Sequence, residues 1–284
     1  MRPSETKSAL VFLLSYGGGL VGGDNVNLKI DVETGARLSL VTQGHTKIFK
    51  SATPDIVTRQ TLNITIASNA AVCLLPDPVQ PFADSVYEQF QVFRLARKAS
   101  LCLLDWVTQG RTARGENWSF VRWVGRNEVW TVTDGPPVRE RLLARDSVIL
   151  DGRQTRRELP ALRESMHGVG VIGTLVLRGP LMQSLGDFFL SEFAALPRLG
   201  ARDFNDAKRT TDASVSGREK WRADRLQMEK ESKLLWSAAN VRGCVVVKFG
   251  APEVEAGRLW IGSMLAQEGS IAQNFGYQAL MCVK

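Results

Sequence analysis

The chain has 284 residues, 44% of them hydrophobic, with two histidines, four cysteines and a formal charge of +7. That size supports a substantial buried core and allows one large domain or two small ones, a single unit over residues 1–284 being the expectation. No run approaches the roughly 18 apolar residues of a membrane span, and the run over 9–14 is too short for a signal-peptide core, so the expectation is a cytoplasmic protein without a membrane partner.

The basic balance favours an acidic protein partner, because long-range attraction follows net charge. No aromatic-basic platform of the kind that stacks on bases is present, which argues against nucleic acid. Cys73, Cys102, Cys244 and Cys282 lie far apart with no CxxC spacing and fall mainly in apolar runs, so they read as buried free thiols.

In chain order, the first unusual segment is 16–24, where Gly17, Gly18, Gly19, Gly22 and Gly23 precede Asp24. So many glycines imply tight backbone geometry or close approach. A phosphate loop would need Lys-Ser/Thr after the glycines, or a GxGxxG opening a helix. Residues 25–30 instead read as a strand, so a structural turn is expected and a nucleotide-binding enzyme is the weaker alternative.

From 25 to about 150 the chain alternates short apolar runs with turn residues, a mainly β pattern. Strands are expected at 26–32, 37–42, 61–66, 71–75, 87–95, 100–107, 118–124, 128–133 and 138–143. Leu101-Cys102-Leu103-Leu104 is apolar on both faces and requires layers on both sides. Turns are expected at 33–35, 67–69, 125–127 and 134–137.

Between these strands, Thr42, Gln43, Gly44, His45, Thr46 and Lys47 form a polar cluster in which His45 is a weak candidate metal ligand or simply a partnered side chain. Asp105 stands inside an apolar run, where a carboxylate is costly unless paired. Arg111 and Arg114 are its expected partners, giving a structural ion-pair network.

Beyond Pro180, residues Leu181, Leu185, Phe188, Phe189, Phe193 and Leu196 recur at helical spacing up to Pro197. Residues 198–216 read as a mobile loop. A long, mostly exposed helix is expected over 218–239, with Trp221, Met228 and Leu235 seven apart. A strand follows at 244–249, and 258–266 is compatible with either helix or strand. No nucleophile-base pair or HExxH motif is present, so a binding or scaffolding role is favoured over an enzyme.

The order of these motifs resembles the UreD (UreH) family of urease accessory proteins. The resemblance rests on Gly18-Gly19-Leu20-Val21-Gly22-Gly23-Asp24, Gly35-Ala36 and Thr42-Gln43-Gly44-His45-Thr46-Lys47-Ile48-Phe49-Lys50-Ser51. It continues through Leu74-Leu75-Pro76-Asp77-Pro78 with Pro81-Phe82, Tyr87-Glu88-Gln89-Phe90, and Gly110-Arg111 with Arg114-Gly115-Glu116. The match is strongest over 16–145. The charged insertion at 198–240 looks like that of a fungal-type member, and Met1 lies nearer the glycine motif than is usual, as in an N-terminally truncated form.

The resemblance implies a stacked-strand, β-helix-like scaffold with a few helices in the C-terminal half. It implies a non-enzymatic chaperone that assembles with UreF and the GTPase UreG on apo-urease and helps insert nickel, held in transit with no tight site. Asp24, Glu88, Asp105 and Glu116 are the candidate carboxylates along such a path, since a conduit holds its ion weakly at several points. The 181–196 helix and the C-terminal segment would face UreF or pack into the core. A β-rich interaction module without a urease role is the alternative.

Overall fold

The computed structural model describes residues 7–133, 138–153, 161–196 and 217–284. The described residues begin with β1 (Ala9–Leu13), so most of the apolar run at 9–14 is a strand, and continue through β2 (Asn25–Val32), β3 (Arg37–Thr42) and β4 (Thr46–Ile48). A second passage comprises β5 (Thr58–Ile66), β6 (Ala71–Leu74) and β7 (Val79–Pro81), and a third β8 (Val86–Leu95) and β9 (Ser100–Thr108). Then come β10 (Arg122–Val132), β11 (Glu140–Asp151) and β12 (Val171–Arg178), and finally the hairpin β13 (Leu235–Val241) and β14 (Cys244–Ala251).

These strands make two sheets. A nine-stranded sheet runs β1-β3-β6-β9-β12-β14-β13 with β4 and β7 beside it, and a five-stranded sheet runs β11-β10-β8-β5-β2. In the first part the chain alternates between the sheets, and each strand pairs in parallel with the one from the previous passage. Leu28 thus lies beside Leu62, Ile64 beside Phe93, and Leu40 beside Leu74. Beyond β9 the new pairings within the nine-stranded sheet are antiparallel, as is that of β11 on β10. The mainly β class with helices gathered towards the C-terminus is as expected.

All nine residues of β9 are buried. Leu101 and Leu103 join Leu62, Ile64 and Phe93 between the sheets, while Cys102, Leu104 and Trp106 pack with Phe189, Trp260 and Met264 on the opposite face. That second layer consists of α2 (Gln183–Ala194), α4 (Val254–Glu268) and α5 (Ser270–Phe275); a short α1 (Leu162–Ser165) precedes β12. The predicted apolar face of α2 is spent on this packing, with Leu185 and Phe189 fully buried. The four cysteines are free and buried.

Two expectations change. The helix predicted over 218–239 ends as α3 (Gly217–Glu231). Lys233 takes a positive φ, and 235–241 is the edge strand β13, alternating between exposed and buried over 235–238. The heptad at Leu235 was coincidental, because pairing with β14 imposes a period of two. The expected turn at 125–127 is the middle of β10, where the Trp123 ring covers Gly125 so closely that a Cβ would meet it at 2.3 Å. Residues 258–266 are helical, within α4. The strand at 171–178 has no counterpart in the sequence reading. The predicted turn at 134–137 and loop at 198–216 lie outside the described residues.

Candidate functional site: a polar belt between two apolar layers

The space between the sheets is stratified. At one level Leu62, Ile64, Phe93, Leu103, Val129 and Val176 form an apolar cluster. At another, Tyr87, Val107, Trp123 and Leu150 form a second, with Val148 and Ile172 against it. Between them lies a band of polar groups from five strands: Gln89 and Gln91 from β8, Asp105 from β9, Asn127 from β10, Asp146 from β11 and Thr174 from β12. Register aligns them, with Gln91 beside Asn127, Asn127 beside Asp146, and Asp105 beside Thr174, which in turn pairs with Lys248 of β14.

Asp105 sits at the centre. Its carboxylate accepts hydrogen bonds from Gln89 Nε2 at 2.9 Å and from Asn127 Nδ2 at 2.6 Å. Burial pushes its pKa up; the two amide donors and the charge of Lys248 oppose that, while Asp146 adds to it. The partners expected from the sequence, Arg111 and Arg114, are not here: amides hold the acid. The Tyr87 hydroxyl lies within hydrogen-bond reach of Gln89 Oε1 and Gln60 Oε1.

Gln91 Oε1 and Asn127 Oδ1 are buried without a hydrogen-bond partner among the described residues. Such orphans cost free energy and require a reason. Asp105 also lines two cavities. One of about 400 Å³ is lined by Gln60, Gln89, Gln91, Thr42, His45 and Asp77. The other, of about 530 Å³, is lined by Trp123, Ile172, Thr174 and Lys248. The belt therefore runs across the strands, from the β3–β4 side to the β12–β14 side, with a carboxylate at its middle.

At the first end, Asp77 organises the Thr42–His45 loop. Its carboxylate accepts from Thr42 Oγ1 at 3.1 Å, from the Gly44 N–H at 3.0 Å and from Arg258 at 2.9 Å. His45 is half-buried beside this group. Burial lowers its pKa, as do Arg258 and Lys47, against the opposing effects of Asp77 and Gln80. Gln43 and Lys47 are exposed. At the second end, Asp146 accepts from Thr174 Oγ1 at 2.9 Å and from Lys248 Nζ at 2.6 Å.

The other predicted carboxylates lie elsewhere. Asp24 accepts from the Val21 N–H at 2.9 Å and closes the glycine turn. Glu88 points to the outer face of the five-stranded sheet, bridged by Arg59 and Arg122 at 3.2 and 2.8 Å. Glu116 is buried, but it clamps the loop at Gly110 by accepting from the Arg111 backbone N–H and guanidinium, while that guanidinium lies over Phe82 at 3.8 Å. Arg111 and its neighbours hold Glu116 below the usual carboxylate range against burial, the largest opposing influence. Arg114 is exposed, and Gly115 takes a left-handed conformation at the close of the 112–114 turn. Among the described residues no three His, Cys, Asp or Glu side chains converge on one point.

The glycine segment is a backbone device. Leu20 bridges in parallel to Ile48, and its N–H and C=O pair with Lys47 O and Phe49 N, both at 2.8 Å. A Cβ on Gly19 would meet the Phe49 ring at 2.6 Å and Lys47 O at 2.7 Å; one on Gly22 would meet the Ser51 backbone at 3.1 Å. Gly18 and Gly23 adopt positive φ.

Sequence reading missed Gln89, Gln91, Asn127, Asp146 and Lys248. A signal was present for the first two: they fall in phase with Tyr87, Phe93 and Leu95, so two amides occupy the buried face of a strand. Asn127 was masked by its Gly-Arg-Asn context, which mimics a turn.

Among the described residues no helix is long and apolar enough to cross a membrane. The family model of the UreD urease accessory protein matches residues 1–280. A protein of Schizosaccharomyces pombe described as a ureD-like urease accessory protein is 33% identical over 94% of this chain and 84% of its own length. Urease accessory protein 4 of Cryptococcus neoformans is 30% identical, covering 95% of this chain and 81% of its own. Urease accessory protein UreD of Sorangium cellulosum is 38% identical over 65% of this chain and 54% of its own. With a family match spanning nearly the whole chain, and fungal relatives alike over most of their length, this chain belongs to the UreD family of urease accessory proteins.

Proposed function

We propose that this protein is a non-catalytic scaffold that joins UreF and the GTPase UreG on apo-urease in the cytoplasm, and that nickel, its cargo, crosses it along the polar belt. The observation that carries the reading is Asp105, a buried carboxylate held by neutral amides and reached by a cavity on either side.

The chemistry suits transit. Borderline Ni(II) is held tightly by clustered imidazole and thiolate, and the belt offers a carboxylate, amide oxygens and hydroxyls instead. Weak, repeated oxygen contacts let an ion enter and leave. The apolar clusters on either side confine it to one level. His45 at the first end is a contact at the entrance, whereas Glu88, on the outer face, is off this route, and Asp24 and Glu116 are engaged in holding loops.

The test is complementation of a urease-positive host lacking its own UreD, with nickel supplied. The wild-type chain restores urease activity and co-purifies with UreF. Asp105→Asn retains the UreF complex but lowers activation at least about tenfold. Activation at the wild-type rate by Asp105→Asn and Asn127→Leu alike would rule the belt out as the route.

A further inference from the structure

The belt contains one group that a cation route should not tolerate, the ammonium of Lys248. It lies in the same cross-strand row as Thr174 and Asp105 and binds Asp146 Oδ1 at 2.6 Å. Asp146 is fixed by a second contact, from Thr174 Oγ1 at 2.9 Å. The two partners differ in freedom: the Lys248 side chain is 50% exposed and that of Asp146 only 16%. The lysine can swing outward on its flexible stem while the carboxylate stays.

On that basis, and resting on the reading of the belt as a metal route, we propose that Lys248 is a resident counter-ion and gate: its ammonium neutralises Asp146 at rest, and a divalent cation must displace it to pass. An ammonium and a divalent ion compete for one carboxylate, because like charges a few ångströms apart repel. The exchange is ion for ion, with no bond made or broken beyond ligation. The unpartnered oxygens of Gln91 and Asn127, both more than nine-tenths buried, supply further ligands on the inner side. Gln91 lines a cavity together with Asp105. The arrangement holds two interior carboxylates without a bound metal and releases one only to an ion of higher charge.

The experiment is a competition titration of the purified full-length chain with nickel sulfate against a chromophoric chelator, for the wild type, K248M, K248R, D146N and D105N. Removing the competing charge in K248M raises nickel affinity at least about tenfold, or about 1.4 kcal/mol. K248R, which keeps the charge, restores wild-type affinity, and D146N weakens binding. Equal affinity of K248M and wild type, with D105N still weakened, overturns the gate and leaves the route standing. Indifference of nickel binding to all four substitutions overturns the route itself.

Discussion

The side-chain amide of Asn127, on the five-stranded sheet, donates to the carboxylate of Asp105, on the nine-stranded sheet, at 2.6 Å. This contact ties the two sheets together at the level where both neighbouring layers are apolar. An acid there is a liability for folding unless it is partnered, and here amides partner it.

Asp105 is predicted to trade stability for function. Its folded pKa is raised above the unfolded value of about 3.9. Between those two values the native state holds more protons than the unfolded chain, so stability falls as pH rises through the interval and stays lower above it. Asp105→Asn removes that loss. Denaturant unfolding should place the variant's midpoint above wild type at neutral pH, with the difference shrinking towards about pH 4.

Gln91→Leu should act in the same direction by a different route. It deletes a buried acceptor that has no partner among the described residues, beside Leu62 in register. Removing an unsatisfied buried group is worth about 1 kcal/mol. The variant should unfold at higher denaturant concentration than wild type, yet activate urease more slowly in the complementation assay.

Glu192 fastens α3. It is fully buried and receives Arg218, Arg222 and Arg225, while Arg225 also pairs with Glu229, whose carboxylate accepts from Trp260. Hydrogen bonding from Arg222 and the other arginines holds its pKa down at about 2. A depressed carboxylate stabilises the fold fully above its unfolded pKa and loses that effect as pH falls from about 4.5 to 2. Glu192→Gln should cost about 1–3 kcal/mol, the loss of charged hydrogen bonds, because the buried Arg225 keeps Glu229 and the other two arginines reach solvent. Hydrogen exchange should show amides of 217–231 losing protection first.

Gly18 and Gly19 need glycine for different reasons. Gly18→Ala places a side chain in open space at φ +80°, a cost of about 1 kcal/mol. Gly19→Ala drives a methyl into the Phe49 ring and the Lys47 carbonyl, a cost of about 1–3 kcal/mol or more. Thermal unfolding of the pair should rank Gly19→Ala as clearly the worse.

Much of the architecture was readable along the chain. The doubly apolar run at 101–104 requires cover on both faces, and β9 has it. The turn at 33–35 places Gly35 at positive φ, and the spacing of Leu185 and Phe189 makes a helix that packs on a sheet. These features depend on local periodicity and backbone sterics, which a sequence states directly. Helix 218–239 was misjudged because the pairing of β13 with a later strand overrode a coincidental heptad.

The candidate site was legible only in part. The sequence alone marks Asp105 as an acid that must be partnered, because no neighbour in its apolar run can serve. Only the tertiary structure decides that Asn127 and Gln89 are those partners, that Glu88 faces outward to Arg59 and Arg122, and that Lys248 closes the row at Asp146. The physical reason is the pleat: a period of two says that Glu88 and Gln89 point to opposite faces. Which of those faces lies inside is set by strands from distant parts of the chain.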